Sequence, residues 1–132
     1  FGIETAGVAC GGIVPPSGAQ VTTTSEYGGT SWTSGGAMVT GRSSAVGGTG
    51  SQTAGLVSGG NIPANTATAE GYDGTTWSQG PSLSTTRQNN AMSSQMAGTR
   101  TGFVTGGYHT SGNTGNTEEF NEAETTRTID VS

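Results

Sequence analysis

Apolar residues in this chain occur as short clusters separated by long polar stretches, and three of the clusters align. They are Thr5-Ala-Gly-Val-Ala-Cys-Gly-Gly12, Thr53-Ala-Gly-Leu-Val-Ser-Gly-Gly60 and Arg100-Thr-Gly-Phe-Val-Thr-Gly-Gly107. Each holds an apolar run of strand length (Val8–Cys10, Leu56–Ser58, Phe103–Thr105) that closes in a glycine pair, the mark of a buried strand that bends sharply. The pairs Gly11-Gly12, Gly59-Gly60 and Gly106-Gly107 are separated by 48 and 47 residues. A fixed period of this length points to stacked or radial repeats.

After each glycine pair a polar stretch of variable length leads to Glu26-Tyr27-Gly-Gly-Thr-Ser-Trp32 in the first copy and Glu70-Gly-Tyr72-Asp-Gly-Thr-Thr-Trp77 in the second. An aromatic strand end, a glycine-containing turn and a strand headed by Trp predict a hairpin. Met38 and Arg42 follow Trp32 at offsets of six and ten, and Leu83 and Arg87 follow Trp77 at the same offsets. Equal offsets predict equal structural jobs: Trp32 and Trp77 packed between repeats, Arg42 and Arg87 bonded to backbone carbonyls of a neighbour. The third copy keeps Glu119-Phe120 and then departs, without a Trp.

In these motifs the chain resembles the kelch family: an apolar strand closing in Gly-Gly, a Tyr-Asp-like strand end, then Trp, a small apolar residue and Arg. The wording of Thr-Ala-Gly-Leu-x-x-Gly-Gly and Tyr-Asp-Gly-Thr-Thr-Trp, set in Gly, Thr and Ser, looks like the divergent kelch-like repeats of marine bacteriophage proteins, cyanophages included. The resemblance spans nearly the whole chain. It implies an all-β fold of about three four-stranded blades of a β-propeller, as one repeat array over 1–132, with repeats 1–48, 49–96 and an incomplete 97–132. Propellers close with four to eight blades, so three form an incomplete ring that further blades, from a longer chain or from other copies, must complete. A trimeric β-fibre or β-solenoid with the same glycine-rich turns is the alternative architecture.

Composition sharpens this picture. Of 132 residues 29% are hydrophobic, 25 are Gly and only 10% are charged, so the core is thin; the low charge and abundant Thr favour β-structure over disorder. Net charge is −5, with four Arg and no Lys, which excludes the cationic stripe that nucleic acid requires. The lone Cys10 makes no internal disulfide and reads as a small buried hydrophobe. No 18-residue apolar run or signal-peptide pattern is present, so membrane insertion is not expected. A first residue Phe1 in place of Met suggests a processed product or a piece of something longer.

Residues that recur in each copy are expected to hold the fold: the three glycine pairs, Tyr27, Tyr72 and Phe120, Trp32 and Trp77, Arg42 and Arg87. Ligand binding is expected instead on the loops after each glycine pair, 13–25, 61–69 and 108–117, which differ in length while the strands keep register. Tyr108 and His109, the latter the only His in the chain, offer an aromatic beside a hydrogen-bonding ring, a candidate sugar contact. Glu118, Glu119, Glu122 and Glu124 read as a solvated acidic edge that discourages strand pairing. No catalytic constellation, cofactor motif or metal-ligand spacing is found, so neither an enzyme nor a cofactor is expected. The leading expectation is a virion or extracellular structural and adhesion protein, part of a phage tail fibre or appendage that presents a host-binding face. A secreted lectin-like glycan-binding module and a kelch-type protein-interaction adaptor are the alternatives.

Overall fold

A computed structural model describes residues 1–44, 48–93 and 102–121 and the backbone of Thr126–Ile129. Arg100, Thr101, Glu122 and Glu124 lie outside the described residues. Every element among those described is a strand: β1 (Gly2–Ile3), β2 (Ala6–Cys10), β3 (Ile13–Val14), β4 (Ala19–Gln20), β5 (Thr24–Tyr27), β6 (Trp32–Ser34), β7 (Gly48–Ser51), β8 (Ala54–Ser58), β9 (Ala69–Tyr72), β10 (Trp77–Gln79), β11 (Ala91–Met92), β12 (Gly102–Thr105), β13 (Tyr108–His109), β14 (Gly112–Asn113), β15 (Thr117–Phe120) and β16 (Thr126–Ile129). Three antiparallel four-stranded sheets follow one another along the chain, ordered β1-β2-β5-β6, β7-β8-β9-β10 and β11-β12-β15-β16. They are successive blades of an incomplete β-propeller. Two small hairpins, β3-β4 and β13-β14, sit in the loops between the second and third strands of the first and third blades.

Strand register makes the repeat quantitative. Ala9 pairs with Ser25, Val57 with Glu70 and Val104 with Glu118, while Gly7, Gly55 and Gly102 pair with Tyr27, Tyr72 and Phe120. On the fourth strand, Trp32, Trp77 and Thr126 face Tyr27, Tyr72 and Phe120. Because side chains alternate across a strand, Val57, Tyr72 and Trp77 point toward the first blade and Leu56 and Ala69 toward the third. Two separate hydrophobic clusters result. Val8, Met38, Val57, Tyr72 and Trp77 join the first two blades, with Phe1 and Cys10 packed against them. Leu56, Ala69, Leu83, Val104 and Phe120 join the second and third.

Beside each cluster lies an arginine. Arg42 is 1% exposed and Arg87 is wholly buried, and each guanidinium reaches forward into the next blade. Arg42 Nη1 donates to Gly59 O at 2.8 Å and Thr68 O at 2.9 Å, while Nη2 meets the Glu70 carboxylate. Arg87 repeats the arrangement with Gly106 O at 3.1 Å, Asn116 O at 2.9 Å and Glu118 Oε1 at 2.6 Å. Each carboxylate also accepts from the backbone of the interblade linker: Glu70 from Val39 N at 2.8 Å and Thr40 N at 3.1 Å, Glu118 from Ser84 N at 2.6 Å. A buried charge is tolerable on these terms, paired and multiply hydrogen-bonded.

The glycine pairs serve the same junction. Arg42 O accepts from Gly12 N at 2.8 Å, and Arg87 O accepts from Gly60 N at 2.8 Å. All six glycines have positive φ, between 65° and 122°, and a Cβ on Gly11 or Gly59 would stand 2.6 or 2.5 Å from the same arginine carbonyl. Only Gly meets both demands.

Two expectations are corrected here. Glu118 belongs to no solvated acidic edge, because its register aims it inward at Arg87, where it is fully buried. Trp32 and Trp77 do not share one environment. Trp77 is 7% exposed and donates from Nε1 to Thr24 Oγ1 of the first blade at 2.9 Å, whereas Trp32 is 57% exposed. Both stand beside a tyrosine, with ring centroids 4.8 Å apart for Tyr72 and Trp77 and 5.1 Å for Tyr27 and Trp32. The difference lies in the covering sheet, which the first blade lacks on that side.

Two measurements check this account. Arg87→Met alone should lower unfolding free energy in urea by about 3–5 kcal/mol by stranding Glu118, and the double change Arg87→Met, Glu118→Leu should recover most of that loss. Burial pushes the Cys10 thiol up to about 11 from 9.0, so native chain at pH 8 should be alkylated about 100-fold more slowly than unfolded chain. The fold favours the neutral thiol, so this contribution is complete below about pH 9 and declines as pH rises toward 11.

Candidate functional site

Antiparallel order places the glycine pairs, the loops that follow them and the interblade linkers at one end of the sheets, with the tight Tyr-to-Trp turns at the other. At the loop end the blades are tied by backbone. Ser43 and Asn61 exchange hydrogen bonds at 3.1 and 2.7 Å, and Gln88 and Tyr108 do so at 3.0 and 2.8 Å. In both cases the residue just after the arginine grips the loop of the next blade. Side chains extend the row: Gln20 Nε2 donates to Asn61 Oδ1 at 3.3 Å and Asn65 Nδ2 to Tyr108 O at 3.1 Å. The three loops therefore form one continuous, backbone-braced surface.

Tyr108 and His109 fall on β13, whose hairpin rises from this surface. Their backbones pair with Asn113 and Gly112. Consecutive residues of a strand point to opposite faces, so the two side chains line different grooves. Tyr108, 42% exposed, borders an open groove of about 510 Å³ with Gln88, Asn89, Gly107, Asn113 and Thr114. His109 borders a smaller one of about 240 Å³ that includes Thr85, Ser111 and Asn116. Its Nδ1 lies 3.1 Å from Ser111 Oγ and 3.3 Å from Thr110 Oγ1.

The larger groove is neutral throughout. Gln88, Asn89, Asn113 and Thr114 supply amide and hydroxyl groups, each able to donate and accept, around one aromatic ring. Asn89 has a φ of 53°, a left-handed conformation that Asn adopts more readily than most residues. Its backbone N donates to Ser44 O at 3.0 Å. Asn113 and Thr114 lie in the 108–117 loop that the sequence marks for binding, whereas Gln88 and Asn89, one and two residues after Arg87, carry no sequence signal beyond that arginine. The opposite end offers less: the Asp73 carboxylate, held below its ordinary range by hydrogen bonds from Thr76 and Thr75, closes the turn before Trp77 and binds its own backbone.

The blades and their order define a β-propeller-class protein. No family of known sequences matches the chain, and no curated protein does. A solved structure titled "Structure of YjhT" is similar to it in fold, with a TM-score of 0.71 at 12% identity, over 96% of this chain and 43% of that one. The chain thus spans a little under half the length of that solved protein.

The backbone bracing predicts an uneven pattern of hydrogen exchange. Amides of Gln88 and Tyr108 should be protected, while those of Thr110 and Ser111 at the hairpin tip exchange at nearly free rates; amide exchange read by NMR checks the contrast.

Proposed function

We propose that the chain is a structural and adhesion module of a virion or extracellular appendage, which presents its loop end to a host surface and contacts neutral, polyhydroxylated ligands there. The observation that carries this reading is the groove beneath Tyr108. An aromatic face flanked by neutral amides and hydroxyls matches a sugar, with apolar C–H faces and a rim of hydroxyls that both donate and accept. Two of the four arginines are committed to buried ion pairs, which leaves little positive charge to draw phosphate or nucleic acid. Assignment to a phage appendage rests on the wording of the repeats, and mass spectrometry of purified particles tests it. A free lectin-like module uses the same groove, so the binding test serves both.

Glycan arrays and binding to intact bacterial cells are the direct assays. Tyr108→Ala and Asn113→Ala should each reduce binding at least about tenfold, as expected for loss of one aromatic or amide anchor, while His109→Ala leaves it nearly unchanged. A silent array and unlabelled cells, or binding indifferent to Tyr108→Ala, would reject the reading.

A further inference from the structure

The first interface of the arc differs in kind from the second, and the difference is written in pairs. Between the first and second blades, Tyr72 donates its hydroxyl to Glu26 and Trp77 donates to Thr24. Between the second and third, register puts Phe120 where Tyr72 stands and Thr126 where Trp77 stands. The facing positions have changed to suit: Gly71 replaces Glu26 and Ala69 replaces Thr24. Phe120, Gly71 and Ala69 lack the groups these bonds need, so the Tyr72–Glu26 and Trp77–Thr24 pairs belong to the first interface.

The two outward faces restore the first pattern, split between the ends of the arc. The free side of the first blade carries the donors Tyr27 and Trp32. The outward side of the third carries Glu119 in the register of Glu26, opposite Arg127 on the fourth strand, and Thr117 in the register of Thr24, its hydroxyl 2.8 Å from Thr105 Oγ1. Apolar volume follows the same logic. At the first interface the aromatic is Phe1, across from the smaller Val8; on the third blade Phe103 stands in the register of Val8, so the ring sits on the second strand. Phe103 is 47% exposed. Phe1 fits because Gly55 has no Cβ, one there lying 2.2 Å from the ring. Gly7 holds the same register on the free side of the first blade, where a Cβ would meet nothing closer than 3.6 Å. Finally, Ser25 stands where Glu70 and Glu118 stand, so the blade that covers this face need bring no arginine.

We propose that the occupant of these faces is a second copy of this chain, joined head to tail. Phe103, Thr117 and Glu119 of each copy receive Gly7, Trp32 and Tyr27 of the other, Trp32 Nε1 donating to Thr117 Oγ1 as Trp77 does to Thr24. Tyr27, whose hydroxyl here donates to Gly29 O at 2.8 Å, turns to the Glu119 carboxylate. Two three-bladed arcs with two identical junctions close a ring of about six blades, within the propeller range. The inference does not depend on the ligand of the Tyr108 groove.

Light scattering and native mass spectrometry of the 132-residue chain at micromolar concentration should find a species of twice its 13.0 kDa. Trp32→Ala and Phe103→Asp should each weaken the dimer about 30-fold or more, since each change damages both junctions. Mixing these two variants should bring dimer back, because one junction of the mixed pair is then fully wild type. The conservative Thr117→Val should weaken the dimer as well, and the retained near-ultraviolet signal of Trp77 reports that the arcs stay folded. A wild-type monomer, a dimer indifferent to Trp32 and Phe103, or variants that fail to complement on mixing would overturn the proposal.

Discussion

A guanidinium buried between two β-sheets is the constraint from which most of this architecture follows. Arg42 and Arg87 each join three things: the carbonyl of the arginine holds the glycine pair of its own blade, the side chain takes the glycine carbonyl and the carbonyl just before the third strand of the next, and the charge meets a glutamate on that strand. The glutamate in turn gathers linker amides that would otherwise be orphaned. Removing any one member leaves the others desolvated and unpaired, so glycine pair, arginine and glutamate form one unit repeated at the two junctions within the arc.

That unit also explains how so little apolar residue sustains a fold. Among the described residues, each interface has five buried hydrophobic side chains at its centre. Around them the sheets meet through satisfied polar pairs, among them Trp77 with Thr24 and Tyr72 with Glu26, whose phenol burial and the carboxylate together push up to about 12. Specific hydrogen bonding substitutes for volume, at the cost of tolerance: each partner suits only one position.

How much of this was legible in the sequence depended on whether the demand fell on residue type or on register. Gly-Gly, Arg and the Tyr-to-Trp hairpins were legible because backbone conformation and bidentate bonding narrow the choice of residue. The acidic partners were not, since Glu26, Glu70 and Glu119 looked equivalent through their nearness to an aromatic. Spacing held the missed signal: Glu70 and Glu118 lie two residues before Tyr72 and Phe120, whereas Glu26 lies one before Tyr27, and an odd shift in a strand reverses the face. Adjacent Tyr108 and His109 parted for the same reason. Trp32 escaped prediction differently, because an offset fixes a residue's place in its blade and says nothing of what covers it.

The paired bonds at Ser43 with Asn61 and Gln88 with Tyr108 pin the bases of the second and third loops, and among the described residues the hairpin tip at Ser111 and Gly112 makes no bond to a neighbouring blade. Ser111 and Gly112, at the tip of the third blade's hairpin, therefore stand on a frame whose geometry is already decided below them. Residues can be exchanged or inserted at such tips without disturbing the junction chemistry. For a lineage that must follow a changing target, or for a laboratory grafting a peptide onto a stiff support, the loop end is a place where variation carries little structural penalty.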